Sequence, residues 1–279
     1  MAEKRPRKRI RDQARLKSSL SIIPSLFTVG NIFCGYYAVI ATLRGNYDFA
    51  AIAIGLGTVL DALDGRLARL TKTASDFGVQ LDSIADVVTF GVAPAMLAFS
   101  WGLSGSEGIE ANVAKHVHQL GWLATFAFVV CGALRLARFN TQTKKPTETA
   151  SKRYFVGLPI PAGAGTIAAI VHFFKSPILL VGSALLWCFL ILLISFLMIS
   201  TVRYSSFKDL DVKNARPRIA LLGSAMLIGL VIFYSEIVLL TLATIYVSSG
   251  PIAKLLQMVR RMLPSRASSS EPAHGNIKG

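Results

Sequence analysis

Four aspartates stand out because they occur in two strongly apolar segments: Asp61 and Asp64 in the first, Asp82 and Asp86 in the second. An ionised Asp at the centre of a membrane-spanning helix costs about 2.5–3.5 kcal/mol, so acids in such surroundings are functional candidates. The spacings i, i+3 and i, i+4 place each pair on one face of a helix. The connection from Thr71 to Phe77 is short, which predicts an antiparallel hairpin with both pairs near one end.

Neighbouring residues indicate what these acids could bind. Carboxylates that face one another repel, and Mg²⁺ or Mn²⁺ relieves this; four carboxylates could bridge two such ions. Arg69 lies eight residues after Asp61, on roughly the same helical face, and Ser75 adds a hydroxyl in the connection. An arginine beside metal-bound carboxylates suits a phosphate group. Gly65 and Gly78 let a ligand or a backbone come close, so the pattern predicts a metal-dependent phosphate site.

The composition places this site in a membrane. Hydrophobic residues make up 53% of the 279 residues and charged residues 16%, against about 25% charged in ordinary soluble domains. This excludes a disordered chain, a disulfide-rich module and most soluble enzymes. The three cysteines fall inside apolar runs without metal-ligand spacing, which favours packing roles. We therefore expect an all-α, polytopic integral membrane protein.

The apolar runs predict the helices that position the acids. Six spans are expected at about Ser21–Leu43, Phe49–Leu70, Val79–Trp101, Leu120–Phe139, Leu158–Phe174 and Ile178–Thr201. The last apolar stretch, from Ile219 to Val247, is too long for one crossing, because about 20 residues span the hydrocarbon core. Ser235 and Glu236 near its middle predict a turn and two further helices. Six spans followed by a re-entrant segment is the alternative.

Basic residues set the expected orientation. Eight of them lie within the first 17 positions, and the net charge is +15. If the N-terminus is inside, the outside loops contain only three basic residues, Arg44, Lys115 and Lys175. This positive-inside pattern predicts both termini in the cytoplasm and assigns the charge to lipid headgroups, without a nucleic-acid partner.

The same reasoning divides the chain into five segments. They are a basic cytoplasmic segment over 1–18, a transmembrane core over 19–201, a basic cytoplasmic loop over 202–218, a transmembrane hairpin over 219–256 and a polar cytoplasmic tail over 257–279.

The acids lie in a run that resembles the motif of the CDP-alcohol phosphotransferase family and matches all eight of its positions: Asp61-x2-Asp64-Gly65-x2-Ala68-Arg69-x8-Gly78-x3-Asp82-x3-Asp86. Three further stretches, residues 28–35, 133–140 and 157–161, resemble the bacterial members that use L-serine as acceptor. The resemblance implies a six-helix core, extended here by about two C-terminal helices. It also implies a homodimer in the bacterial inner membrane, with the active site at the cytoplasmic face.

The resemblance further implies the reaction and the residue roles. The phosphatidyl group of CDP-diacylglycerol would pass to L-serine, giving phosphatidylserine and CMP for phospholipid biosynthesis. The metal ligands would be Asp61, Asp64, Asp82 and Asp86, holding one or two Mg²⁺ or Mn²⁺ ions, and Asp86 would also be the general base. The CDP-diacylglycerol site would comprise Asp61, Gly65, Ala68, Arg69, Ser75 and Gly78. Thr28 and Asn31 are candidates for the nucleotide pocket, and Arg135 and Arg138 for the acceptor or the lipid phosphate.

Other interpretations remain open at this point. The acceptor could be glycerol 3-phosphate, inositol or choline. The acids could serve a cation or proton transporter, or form structural ion pairs with arginines between helices. The basic head could belong to a membrane scaffold. Gly55 and Gly57, which precede the acids, are read as helix-packing glycines because no strand or P-loop accompanies them.

Overall fold

The computed structural model describes residues 26–71, 76–103, 111–143, 154–205 and 217–262. Within them the chain is almost entirely helical. The helices are α1 (Leu26–Leu43), α2 (Tyr47–Thr71), α3 (Asp76–Asp86), α4 (Ala93–Gly102), α5 (Ala111–Thr143), α6 (Ile160–Phe174), α7 (Val181–Ile199), α8 (Pro217–Phe233) and α9 (Ser235–Met262). A π-helical segment, Val87–Val92, joins α3 to α4.

This confirms the all-α membrane architecture. Within the described residues, five helices are long and apolar enough to cross a bilayer: Leu26–Leu43, Phe77–Gly102, Asn112–Thr141, Val181–Ile199 and Ser235–Val259. Large apolar side chains point outward from the bundle, among them Phe33, Leu186 and Phe196, each about two-thirds exposed. Such a surface is compatible with lipid and unsuited to water. The protein is therefore a multi-pass membrane protein.

The helix boundaries correct several expectations. Helix α5 begins at Ala111, nine residues before the predicted start of span 4, so Lys115 lies in a helix and not in a loop. The break between α8 and α9 falls at Tyr234, beside the predicted turn. Helix α9 continues to Met262 and so includes the first residues of the predicted tail. Residues 1–18, most of the 202–218 loop and the tail beyond 262 lie outside the described residues, so the proposed segment boundaries and the number of crossings stay predictions.

The helices run alternately up and down, so the bundle has two ends. We call the end that holds Asp61 and Asp86 the site end, and the end that holds Asp48 and His172 the far end. Helix α2 runs from the far end to the site end, and α3 and α4 run back. This is the hairpin expected from the short connection between the two acid pairs.

A π-helical turn directly follows Asp86. Pro94 has no N–H to donate to the carbonyl of Phe90, so the regular α-helical ladder cannot continue through it. Upstream of this proline, the N–H of Ala93 bonds the carbonyl of Val88, one residue further back than in an α-helix. The wider turn changes the direction in which the following side chains point. Such turns are frequent at functional sites.

The π-helical turn is packed tightly against α1 and α2. Thr89 is fully buried, and its hydroxyl donates to the carbonyl of Asn31 at 2.8 Å. A Cβ at Gly35 would lie 2.8 Å from the Thr89 Cα, and a Cβ at Gly57 would lie 2.6 Å from the Thr89 Cγ2. Glycine at both positions therefore lets three helical segments approach closely, as small residues do in membrane bundles. Gly55 contacts nothing within 4 Å at its Cβ position, so of the two predicted packing glycines only Gly57 has this role.

Polar side chains join three helices at the far end. The Nδ1 atom of His172 in α6 contacts the carboxylate of Asp48 in α2, and its Nε2 atom lies 2.9 Å from the Ser235 hydroxyl at the start of α9. Nearby, Lys175 forms an ion pair with Glu236, and this hydrogen bond raises the pKa of Lys175. These contacts attach α9 to the six-helix core.

At the site end, a short β-ribbon supports α9. Strands β1 (Tyr154–Val156) and β2 (Arg203–Ser205) pair antiparallel. Tyr204 is fully buried, and its hydroxyl donates to the Val247 carbonyl of α9 at 3.2 Å. Burial raises the pKa of Tyr204 to about 12, so the hydroxyl keeps the proton that it donates. A Cβ at Gly250 would lie 2.5 Å from the Tyr204 ring, so glycine there allows α9 to approach the ribbon.

The glycine contacts predict different effects for two alanine substitutions. Gly35→Ala places a methyl group against the Thr89 backbone, and overpacking of this kind costs about 1–3 kcal/mol. Gly55→Ala meets open space and gains helix propensity of about 1 kcal/mol. We expect a lower thermal unfolding midpoint in detergent for Gly35→Ala, and an equal or higher one for Gly55→Ala. Equal midpoints for the two variants would contradict the packing described here.

Candidate active site

Three of the four aspartates meet at the site end of the bundle. Carboxylate oxygens of Asp61, Asp82 and Asp86 all lie within 4.8 Å of one another. Asp86 is nine-tenths buried, and the other two are half-buried. The acids of α2 and α3 therefore lie close together, as the sequence predicts, because the antiparallel pair brings the two helical faces together.

The fourth acid, Asp64, makes a different contact. Its carboxylate accepts a hydrogen bond from the hydroxyl of Thr28 in α1, and Asp64 is slightly more buried than Asp86. Asp64 remains close enough to Asp61 and Asp82 to repel them electrostatically. Its role as a metal ligand stays a prediction, whereas its link to α1 was not anticipated.

The donor set fits a hard divalent cation. Ligand oxygens about 2.1 Å from one Mg²⁺ lie at most about 4.2 Å apart, close to the spacing of the three carboxylates. Each carboxylate repels its neighbours in this partly buried place, and a cation would remove that repulsion. One oxygen of Asp86, Oδ1, is buried with no hydrogen-bond partner among the described residues. An unpaired buried oxygen of this kind is unfavourable unless a ligand or an ion satisfies it.

The side chain of Asn31 is a second buried polar group that has no hydrogen-bond partner among the described residues. Its side chain is almost completely buried, and neither its Oδ1 nor its Nδ2 has a hydrogen-bond partner in the described part of the chain. Thr28 lies one helical turn earlier in α1 and contacts Asp64. The two residues proposed for the nucleotide pocket therefore both lie beside the acid-bearing helices, and Asn31 has both donor and acceptor capacity to offer.

The two arginines of α5 differ. Arg135 is partly buried, and its guanidinium lies within electrostatic reach of the Asp86 carboxylate. Its Nε is buried without a partner among the described residues. Arg138 is exposed. Only Arg135 is therefore brought to the carboxylate cluster, which separates two residues that the sequence could not distinguish.

The structure describes the remaining predicted residues only in part. Gly65 is exposed in α2, and no described residue lies within 4 Å of its Cβ position, so a ligand could approach its backbone. Gly78 lies in the first turn of α3. The backbones of Ala68 and Arg69 belong to α2, but their side chains lie outside the described residues, as does Ser75.

Two contacts at the site end were not anticipated. Asn140 of α5 donates to the Ser83 hydroxyl of α3 at 2.8 Å, between the two acids of that helix. Tyr246 of α9 lies within electrostatic reach of Arg135. Asn140 is the last residue of the stretch 133–140, which carries part of the family resemblance, so the sequence contained a signal for this residue. Tyr246 lies in an apolar run without any motif.

The contact between Thr28 and Asp64 predicts a stability difference. Thr28→Val keeps the shape of the side chain but removes the hydroxyl, which leaves a buried carboxylate without this donor at a cost of about 1–3 kcal/mol. Thr28→Ser keeps a hydroxyl. We expect thermal unfolding in metal-free detergent buffer to show a lower midpoint for the valine variant and a near-normal one for the serine variant. A valine variant as stable as the parent would show that the bond contributes nothing.

Comparisons with known proteins agree with this geometry. Residues 21–195 match the family model described as CDP-alcohol phosphatidyltransferase. The chain is similar to proteins named CDP-diacylglycerol–serine O-phosphatidyltransferase. One from Bacillus subtilis is 39% identical over 196 residues, which cover 70% of this chain and 96% of that protein. One from Methanocaldococcus jannaschii is 38% identical over 187 residues (67% and 75%), and one from Helicobacter pylori is 35% identical over 195 residues (68% and 74%). The matched region contains the carboxylate cluster and spans more than half of the chain, which therefore belongs to the CDP-alcohol phosphatidyltransferase family.

Proposed function

We propose that this protein transfers the phosphatidyl group of CDP-diacylglycerol to the hydroxyl group of L-serine, giving phosphatidylserine and CMP. The observation that carries the proposal is the cluster formed by Asp61, Asp82 and Asp86 on two neighbouring helices. The names of the similar proteins support serine as the acceptor.

The carboxylate cluster would hold the metal. Asp61, Asp82 and Asp86 would bind one or two Mg²⁺ or Mn²⁺ ions, with Asp64 as a further ligand. When bound, such an ion neutralises charge on the diphosphate and on the departing CMP. Mg²⁺ and Mn²⁺ are favoured because the donors are carboxylates, and soft ligands such as thiolates are absent from the described site.

Asp86 is the proposed general base. Its free, buried Oδ1 can accept the proton of the serine hydroxyl. The serine oxygen then forms a bond to the phosphorus that carries diacylglycerol, and the bond from that phosphorus to the oxygen of CMP breaks. The proton is on Asp86 and the electron pair leaves with CMP, so the step is balanced. A carboxylate can serve as base here because it is removed from water and faces other carboxylates.

Other side chains would orient the two substrates. Arg135 presents a guanidinium beside Asp86, which suits bidentate binding of the serine carboxylate or of a phosphate. Arg138, being exposed, would contact a lipid phosphate at the membrane surface. Asn31 and Thr28 would line the nucleotide pocket with Gly65, Ala68, Arg69, Ser75 and Gly78. Gly65 has the open backbone face that close approach to a diphosphate needs.

The position of the site fits a lipid nucleotide. CDP-diacylglycerol has its acyl chains in the leaflet and its nucleotide in water, whereas serine is soluble. We propose that the site end faces the cytoplasm from the inner membrane of a bacterium and that both termini are cytoplasmic. The charge pattern supports this orientation. The expected homodimer stays a prediction from the family resemblance.

The activity test measures CMP release. Purified protein in detergent, given CDP-diacylglycerol, L-serine and Mn²⁺, is expected to release CMP and form phosphatidylserine. Asp86→Asn removes the base and is expected to lower kcat by about 10²–10⁴-fold. Glu236→Gln is the matched control, because it also replaces a carboxylate by an amide, but at an exposed ion pair at the far end.

Parallel reactions with glycerol 3-phosphate, inositol and choline decide the acceptor. CMP release with one of these and not with serine would contradict serine as the acceptor while leaving the reaction type intact. A protein that releases no CMP with any acceptor, but moves cations into liposomes, would be a transporter.

The proposed orientation predicts a labelling pattern. In a variant without native cysteines, Ser176→Cys places a thiol in the exposed far-end connection, and Thr141→Cys places one near the exposed site end of α5. We expect a membrane-impermeant maleimide to label the first in intact bacterial cells and the second only after permeabilisation. The reverse pattern would invert the proposed topology.

A further inference from the structure

Helix α9 lies beyond the segment that matches the family, yet it is attached to the core at the far end and at the site end of the bundle. Residues 21–195 carry the match, and α9 begins at Ser235. At the far end, Ser235 lies 2.9 Å from His172. At the site end, Tyr204 bonds the carbonyl of Val247 and packs against Gly250. Two such attachments hold the position of the helix along and across the bundle.

Tyr246 is held in place by the site-end attachment. Its ring contacts the ring of Tyr204, with a centroid separation of 5.7 Å. Tyr204 itself is fully buried, and its hydroxyl already bonds Val247. The aromatic pair therefore fixes the ring of Tyr246 independently of what its hydroxyl contacts.

Contacts within the core connect the helical turn that carries Arg135 to the same β-ribbon. Gly132, one turn before Arg135 in α5, packs against Ile160, and its Cβ position lies 3.9 Å from the sulfur of Met198. The carbonyl of Met198 in turn faces Gly157, whose N–H bonds the carbonyl of Val202 beside β2. These contacts connect the Arg135 turn of α5 to the ribbon on which α9 rests.

An electrostatic chain then leads from α9 to the general base. The phenol of Tyr246 interacts electrostatically with the guanidinium of Arg135, and Arg135 interacts in the same way with the carboxylate of Asp86. Arg135 has a long side chain whose Nε lacks a partner among the described residues, so α5 alone does not determine its orientation. A phenol oxygen can accept a hydrogen bond from a guanidinium and so determine it.

We propose that Tyr246 is a positioning residue that orients the Arg135 guanidinium toward the acceptor alcohol, so that α9 completes an active site whose other residues lie in the family-matched segment. This inference rests on the proposed function. It gives the C-terminal helix a role in acceptor binding.

The test compares variants that remove one hydroxyl each. Tyr246→Phe keeps the ring contact with Tyr204 and removes the hydroxyl. We expect the KM for serine to rise roughly fivefold to twentyfold, with kcat, the KM for CDP-diacylglycerol and the thermal midpoint little changed. Tyr234→Phe is the matched control, because Tyr234 is exposed at the break between α8 and α9, and it should change none of these quantities.

A double-mutant cycle separates positioning from packing. If Tyr246 acts through Arg135, adding Tyr246→Phe to Arg135→Lys should raise the serine KM no further. An unchanged serine KM in Tyr246→Phe, or an equal effect in the Arg135→Lys background, would overturn the inference while leaving the proposed function intact. A parent protein that releases no CMP would instead overturn the proposed function, and this inference with it.

Discussion

The mutual repulsion of carboxylates within a membrane bundle is the constraint on which the rest of this structure depends. Carboxylate oxygens of Asp61, Asp82 and Asp86 lie within 4.8 Å of one another; Asp86 is buried and the other two are half-buried. Such an arrangement is unfavourable for the apoprotein, and packing elsewhere in the bundle must supply the free energy that maintains it. A site kept at this energetic cost is ready for a multivalent cation and for a charged substrate.

Close helix packing is what keeps the acids together. Gly35 and Gly57 allow α1 and α2 to approach the π-helical turn, and Thr89 of that turn bonds the α1 backbone. Because Asp86 immediately precedes the turn, its position relative to Asp61 is determined by this junction. Thr28 then connects α1 to Asp64. One set of tight contacts thus serves both the stability of the fold and the geometry of the site.

The C-terminal helix extends the core without contributing a residue to the carboxylate cluster. The far-end contacts of His172 and Ser235 and the site-end contacts of Tyr204 attach α9 beside the six-helix core. The carboxylate cluster is formed by α2 and α3, while Tyr246 of the added helix interacts electrostatically with Arg135. The carboxylate cluster and the surroundings of Arg135 can therefore be varied by different parts of the chain.

The sequence by itself determined the membrane class and the helices around the acids, because hydropathy and helical periodicity are local properties. The motif also predicted the chemistry of the site. The sequence further indicated that Asp61, Asp82 and Asp86 would face one another across a hairpin. Only the tertiary structure decided that Asp64 bonds Thr28, and that Arg135 interacts electrostatically with Asp86 and with Tyr246. These outcomes depend on helix rotation and on contacts between residues far apart in the chain, which no local pattern records.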